Sequence, residues 1–280
     1  MPESRGTLFI VSTPIGNLGD LSPRAAKTLR SAKYILCESI DQTNKLLNIL
    51  KRTEDGVSEI IEEEPSKTLS PTPSSRRRRS ERGFLAERIE ETPSRIAPLA
   101  RYEGKGPKSD WQIQKVIADL QNGDSVALVS NAGTPSVSDP GAKLVAAVVR
   151  AGLPVVHIPG PAAFVSAAVT SGLPTKNILF IGFLPKKINA LAQKLAAARS
   201  ALLALNEPAS LAAYVPKYQL DKTITAVTEI FGDQTLISLA RELTKLHEDH
   251  FTGPISDLKT WLSQSPHRLK GEFTLVISMN

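Results

Sequence analysis

The sequence predicts an α/β protein of two domains, on three observations. Short apolar runs recur along the 280 residues, several of them break at a small-residue loop, and amphipathic stretches stand between them. Ala127–Ala142, ALVSNAGTPSVSDPGA, holds the whole pattern. Val126–Val129 reads as a buried strand and Asn131-Ala132-Gly133-Thr134-Pro135 as a turn. Ser138-Asp139-Pro140-Gly141 reads as a second turn, and Lys143–Arg150 as a helix. A loop of small residues at a strand end lets a ligand approach the backbone, although such loops also serve as plain connections.

Taken in order, Thr7–Ser12 is apolar on both faces, as a buried parallel strand should be. It breaks at Thr13-Pro14-Ile15-Gly16-Asn17. Ser22-Pro23 supplies an N-cap and a first-turn proline for the next helix. Tyr34–Cys37 is a strand ending at Glu38, a carboxylate placed either for a site or for solvent. Asp41–Leu50 is helical. From about 53 to 108 the pattern dissolves into Glu62–Glu64, the Pro/Ser/Thr run Pro65–Ser75 and Arg76–Arg79. This predicts a loosely packed insertion with a short helix at Ser80–Glu91. Trp111–Asn122 is an amphipathic helix with Trp111, Val116, Ile117 and Leu120 inward. Pro154–Ile158 is a strand, with His157 packed in it rather than acting as a base. Ala162–Ser171 is a small-residue helix, and Leu173-Pro174-Thr175 divides residues 1–174 from residues 175–280.

In the second half, Ile178–Phe183, Ala201–Leu205, Leu236–Ala240 and Gly271–Ser278 read as strands. Asn189–Ala198 and Ile255–Leu262 read as helices.

With 41% hydrophobic and 22% charged residues the chain can build ordinary cores. No apolar run approaches the roughly 18 residues of a membrane span. The N-terminal MPESRGTLFIV resembles neither a signal peptide nor a transit sequence, so a cytoplasmic location is expected. The single cysteine, Cys37, excludes an intramolecular disulfide. A net charge of +6 permits a polyanionic partner without requiring one, and Arg76–Arg79 contributes much of it. There is no G-x-G-x-x-G and no P-loop. His247 and His250 are spaced by three rather than four and no cysteine pair accompanies them, so no metal site is expected. The residues alone thus point to two α/β domains binding a small molecule in a cleft.

Six ordered blocks add to this: TLFIVSTPIGNLGDLSPRA, ALVSNAGTPSVSDPGAKLV, IPGPAAFVSAAVTSGLPT, FIGFLPKK, ARELTKLHED and GEFTLVI. Together they resemble the class III, tetrapyrrole-methylase-like methyltransferases. Within that family they are most similar to the branch that methylates a cytidine ribose 2′-hydroxyl in small-subunit ribosomal RNA. The resemblance implies two α/β domains with S-adenosylmethionine in the cleft between them, a homodimer, and ribosomal RNA or the small ribosomal subunit as partner. It places Pro14, Gly16, Asn131, Ala132, Gly133, Thr134 and Val137 around the cofactor. It adds Ala162 and Ala163 as a small pair against it, and Leu205 and Leu243 near its adenine.

Glu38, Arg241, Glu242 and Lys245 are the polar candidates for catalysis, although Arg241 and Glu242 read equally as a structural ion pair. The family usually has Asp where this chain has Asn131, and Glu-Asp-Thr-Arg where it has Glu38-Ser39-Ile40-Asp41. Its Tyr-Glu-Ser-Pro-His-Arg run aligns here with Asn206–Leu211, which lacks both His and Arg. These departures imply a weakened active site. A silent cofactor- or RNA-binding protein and a small-molecule methyltransferase stand as alternatives.

Overall fold

The computed structural model describes residues 5–54, 97–104 and 106–279. The first half runs β1 (Leu8–Val11), α1 (Pro23–Ser31), β2 (Tyr34–Cys37), α2 (Ile40–Glu54), β3 (Leu99–Arg101), α3 (Pro107–Gln121), β4 (Val126–Val129), α4 (Ala142–Arg150) and β5 (Val155–Ile158). All five strands are parallel, in the order β3-β2-β4-β1-β5. Period-two alternation divides β4 between two cores. Val126 and Leu128 pack with Leu120, Leu144 and Val148, while Ala127 and Val129 pack with Leu29, Ile35 and Leu47. Helices on both faces explain why the three inner strands, β1, β2 and β4, are apolar along their length. Ser22 accepts the Ala25 N–H at 3.1 Å, so the expected cap starts α1.

Helix α5 (Ala163–Thr170), which precedes the expected division at residue 174, packs on the second sheet, and the chain continues with β6 (Asn177–Phe183), α6 (Ile188–Leu203), β7 (Ala209–Val215), α7 (Leu220–Phe231), β8 (Leu236–Arg241), β9 (Asp249–Pro254), α8 (Ile255–Ser263) and β10 (Phe273–Ser278). This second sheet is mixed, in the order β6-β7-β10-β8-β9, with only the β6–β7 pair parallel. One face carries a core shared by α6, α7 and α8. The other meets α5, where buried Ala167 lies with Ala240, Val276, Leu243 and Ile15. Ile15 comes from the loop after β1, so this last cluster joins the two halves.

Several local expectations change. Ala201–Leu203 ends α6 instead of opening a strand; ALLAL lacks β-branched residues and simply continues the helical run. Trp111 is 65% exposed and Ile113 takes the inward position. His157 is exposed on the edge strand β5, with Nε2 3.0 Å from Ser12 Oγ. The end of the expected insertion belongs to the fold, because β3 pairs with β2 and Tyr102 beside it is buried. The Arg76–Arg79 run and the Ser80–Glu91 helix lie outside the described residues. Strand β9, DHFTGP, is too polar to have been read as one. Among the described residues no helix is long and apolar enough to cross a membrane.

Candidate cofactor cleft

The cleft lies where the C-terminal ends of the first sheet's strands face the second sheet, the usual place for a ligand in an open α/β sheet. Its volume is about 590 Å³. One wall comes from the loops after β1, β2, β4 and β5, which contribute Ile15, Glu38, Asn131–Thr134, Val137–Pro140, Ala162 and Ala163. The other comes from Phe183, the run Tyr214–Tyr218, Leu243 and the segment Gly271–Thr274 entering β10.

The first wall is built around Gly133. Thr13 and Gly133 form an isolated antiparallel bridge that ties the loops after β1 and β4 together. Gly133 has φ +76°, and a Cβ there would stand 3.3 Å from Ile15 Cγ2. Thr134 donates to the Pro161 carbonyl at 3.1 Å, and its Oγ1 lies 2.9 Å from Ser12 Oγ, which fixes the loop after β5 against the other two. Ser136 and Ser138 both have φ near +70°, an uncommon conformation for serine. Gly182 admits Ser138 from across the cleft, since a Cβ on Gly182 would lie 2.8 Å from its Oγ.

Of the sequence-chosen residues, Asn131, Ala132, Gly133, Thr134, Val137, Ala162, Ala163, Leu243 and Glu38 come together on this cleft. In the loop after β1 it is Ile15, between Pro14 and Gly16, that lines it. Gly16 serves the joint between the halves. A Cβ there would fall 2.5 Å from Lys245 Cγ, and the neighbouring Asn17 N–H donates to Thr244 Oγ1 at 3.0 Å.

Leu205 is elsewhere. It follows α6, half exposed, at the start of β7, whereas the cleft lies at that strand's end. At ~3.3 Å per residue the two are roughly 20 Å apart. The segment occupying the strand end is Tyr214-Val215-Pro216-Lys217-Tyr218, not Asn206–Leu211.

Arg241, Glu242 and Lys245 are committed to the loop after β8. Arg241 is 7% exposed and donates to the carbonyls of Lys270 at 2.7 Å and His247 at 2.6 Å. The Glu242 carboxylate accepts from the Glu272 N–H at 2.7 Å and from Lys245 Nζ at 3.1 Å. Lys245 also reaches Glu272 at 2.8 Å. Burial opposes ionisation of Glu242, but these donors win and hold its pKa below the usual range. Arg241 and Glu242 therefore turn to different partners instead of forming the ion pair considered above.

The sequence reading gave Asp139 no role. It lines the cleft with Glu38, and burial pushes its carboxyl up to about 6. A hydrogen bond from Ser130 opposes that rise, and the Glu38 charge adds to it. Tyr214, also on the cleft, is raised mainly by burial. Among the described residues no group of three His, Cys, Asp or Glu could hold a metal.

Residues 7–259 match the family described as tetrapyrrole (corrin/porphyrin) methylases. The chain belongs to that family, whose methyltransferases use S-adenosylmethionine. A relative from Xylella fastidiosa (strain Temecula1) named ribosomal RNA small subunit methyltransferase I is 34% identical, over 97% of this chain and 81% of its own length. Proteins of the same name from Hydrogenobaculum sp. and Escherichia coli O157:H7 are 34% and 30% identical. They match over 97% and 98% of this chain, and 95% and 78% of their own lengths. Among solved structures, the methyltransferase CobJ superposes with TM-score 0.58 at 16% identity, covering 97% of this chain and 93% of its own. A uroporphyrin-III C-methyltransferase from Thermus thermophilus gives 0.55 at 17%, covering 98% and 95%. These two likenesses concern the fold alone.

The cleft fits S-adenosylmethionine. Ala132, Gly133, Ala162 and Ala163 leave room against the backbone, while Ile15, Val137 and Leu243 give apolar contact.

Proposed function

We propose that this chain transfers a methyl group from S-adenosylmethionine to a ribose 2′-hydroxyl of a cytidine in small-subunit ribosomal RNA. The substrate reading is carried by similarity, over 97–98% of this chain, to proteins named ribosomal RNA small subunit methyltransferase I. The reaction class is supported by an ionisable carboxylate, Asp139, on the same cleft as the small-residue wall.

S-adenosylmethionine, when bound, supplies a methyl group on a positively charged sulfur. Ala132–Thr134, Val137, Ala162 and Ala163 would hold it, with Ile15 and Leu243. The protein's remaining tasks are to place the hydroxyl and accept its proton. Asp139 is the acceptor in this reading. Its burial and the nearby Glu38 charge bring its affinity for a proton close to what a base needs near neutral pH. Arg241, Glu242 and Lys245 hold the loop that presents Leu243. A second reading, a cofactor-binding protein with little turnover, is favoured by Asn131 and by the exposed Asp41 in place of the family's charged residues.

The test is mass spectrometry of ribosomal RNA nucleosides from cells with and without the gene, together with radiolabelled methyl transfer to small subunits. Methylation of a base or of a small molecule would refute the ribose assignment. Cofactor binding with no methyl transfer would favour the second reading.

The chain also acts, in this proposal, as a cytoplasmic homodimer. Exposed Val156 on the edge strand β5, with exposed Val165 and Val169 on α5, supports a self-associating surface. A monomeric mass by light scattering at micromolar concentration would count against it.

A further inference from the structure

We propose that the rim of the cleft formed by Phe183, Tyr218 and the lysines 186, 187 and 217 is a platform for single-stranded RNA. On it, unpaired bases stack beside the nucleotide being modified; this rests on the RNA reading above.

The rings come first. Phe183 is 54% exposed and Tyr218 61% exposed, both on the wall contributed by the second half. Exposed aromatic faces beside a ligand cleft suit flat, π-bearing partners. Phe183 is held from behind. Its ring packs edge-on against Tyr214 at 5.2 Å, Tyr214 against Phe180 at 4.9 Å, and Phe180 stacks on Phe164 at 4.3 Å. Lys194 donates to the carbonyls of Ile181 at 2.6 Å and Phe183 at 3.1 Å, which pins the same strand end. The Phe183 side of the platform is therefore held in place before anything binds, which lowers the cost of binding.

The charges point the same way. From Asn177 to Asn206 there is no acidic residue, against Lys186, Lys187, Lys194 and Arg199; Pro208–Leu220 adds Lys217 and again no acid. Lys186, Lys187 and Lys217 are exposed, and none forms an ion pair among the described residues. Lys186 Nζ lies over the Tyr218 ring, 5.5 Å from its centroid, so the cation covers one face of the ring and a base would take the other. Aromatic faces interleaved with free cations match the alternation of base and phosphate along an unpaired strand. A duplex hides its base faces and would not use the rings. The acidic pair Asp139 and Glu38 lies on the facing wall, and Glu272, on the same wall as the rings, is paired with Lys245, so the three lysines are the cations left for phosphates.

The full chain would be titrated into a fluorescein-labelled oligocytidylate of about ten nucleotides and followed by anisotropy. Affinity for S-adenosylhomocysteine would be measured by calorimetry, and methyl transfer to small subunits by radiolabel. Phe183→Ala and Tyr218→Ala should each weaken RNA binding and raise KM for subunits about tenfold, with cofactor affinity unchanged. Tyr218→Phe should bind RNA as the parent does. Replacing the three lysines by Gln should lower the slope of log affinity against log salt by about 2. Unchanged RNA affinity and KM in folded alanine variants of a parent that methylates subunits would overturn the platform alone. Loss of cofactor affinity in those variants would reassign the rings to the adenine of the cofactor and overturn it too. A parent that neither binds RNA nor methylates subunits would overturn both this inference and the reading beneath it.

Discussion

Thr13 and Gly133 satisfy each other through the backbone: the Thr13 N–H meets the Gly133 carbonyl at 2.9 Å, and the Gly133 N–H meets the Thr13 carbonyl at 3.0 Å. Two strand-end loops become one surface, and its floor is a residue without a side chain. Any β-carbon at Gly133 would carry the strain of a positive φ as well as occupying space, so its substitution cannot separate binding from folding. Ala162 offers the cleaner experiment, because its backbone is extended (φ −138°, ψ 118°) and accepts any side chain.

Ala162→Leu should fold normally and bind S-adenosylhomocysteine at least tenfold more weakly. Thermal melts with and without ligand check both halves of this. The ligand-free melting temperature should stay within a few degrees of the parent, and the ligand-dependent increase should shrink. An undiminished increase would place the cofactor away from Ala162.

Asp139 makes the reaction pH-dependent in a stated direction. Its carboxyl titrates near 6, so kcat/KM for methyl transfer should rise with pH through that region and then level. Asp139→Asn should remove this limb and lower the rate on the order of a hundredfold or more. The stability effect has the opposite sense. A carboxyl whose folded pKa lies above its ordinary 3.8 takes up a proton on folding between about 4 and 6, so stability is lost as pH rises through that window. Asp139→Asn should escape this loss and melt higher than the parent at pH 7.5, with the gap narrowing at pH 4.5. A pH–rate profile unchanged by the substitution would exclude Asp139 as the proton acceptor.

Arg241 should behave as a structural residue. Its guanidinium is buried against two carbonyls, so Arg241→Met should leave both unsatisfied and destabilise the protein by about 3 kcal/mol. At a temperature where the variant remains folded, turnover should fall by much less than with Asp139→Asn. Denaturant titration beside the methyl-transfer assay separates the two effects.

Restoring the family's charges has a consequence that the sequence alone did not reveal. Asn131 shares the cleft with Asp139 and Glu38, so Asn131→Asp adds a third carboxylate to two that already repel. The acidic limb of the rate profile should move upward, by up to about one pH unit. Asp41→Arg should bring it part of the way back. If the limb stays fixed in Asn131→Asp, the position is electrically remote from Asp139.

The loops of the first wall were legible because small residues after an apolar run leave few alternatives. ALVSNAGTPSVSDPGA could be read as strand, loop and helix before any coordinates. The second wall was less legible. Tyr214–Tyr218 follows a strand whose start was misplaced, since the helical ALLAL and the strand ASLAAYV are apolar runs of similar length. Leu205, placed near the adenine by the resemblance, stands before the start of that strand, away from the cleft. Asp139 was passed over because the sequence shows no nucleophile, base and orienting group around it. Its partial burial depends on the facing sheet, and no local pattern encodes that. Arg241 and Glu242 were visible as charges, but besides the near partners His247 and Lys245 each has one, Lys270 or Glu272, some thirty residues away.

Strand order also governs the route by which this protein becomes able to bind. Because β4 lies between β1 and β2, the Thr13–Gly133 bridge and the Ser12–Thr134 contact close 120 and 122 residues of chain. Helices form from local contacts in microseconds, whereas closures of this length are slow. During refolding, helical signal should therefore recover well before ligand affinity. A chain still emerging from the ribosome lacks the second wall of the cleft until synthesis has passed Leu243 and the segment entering β10.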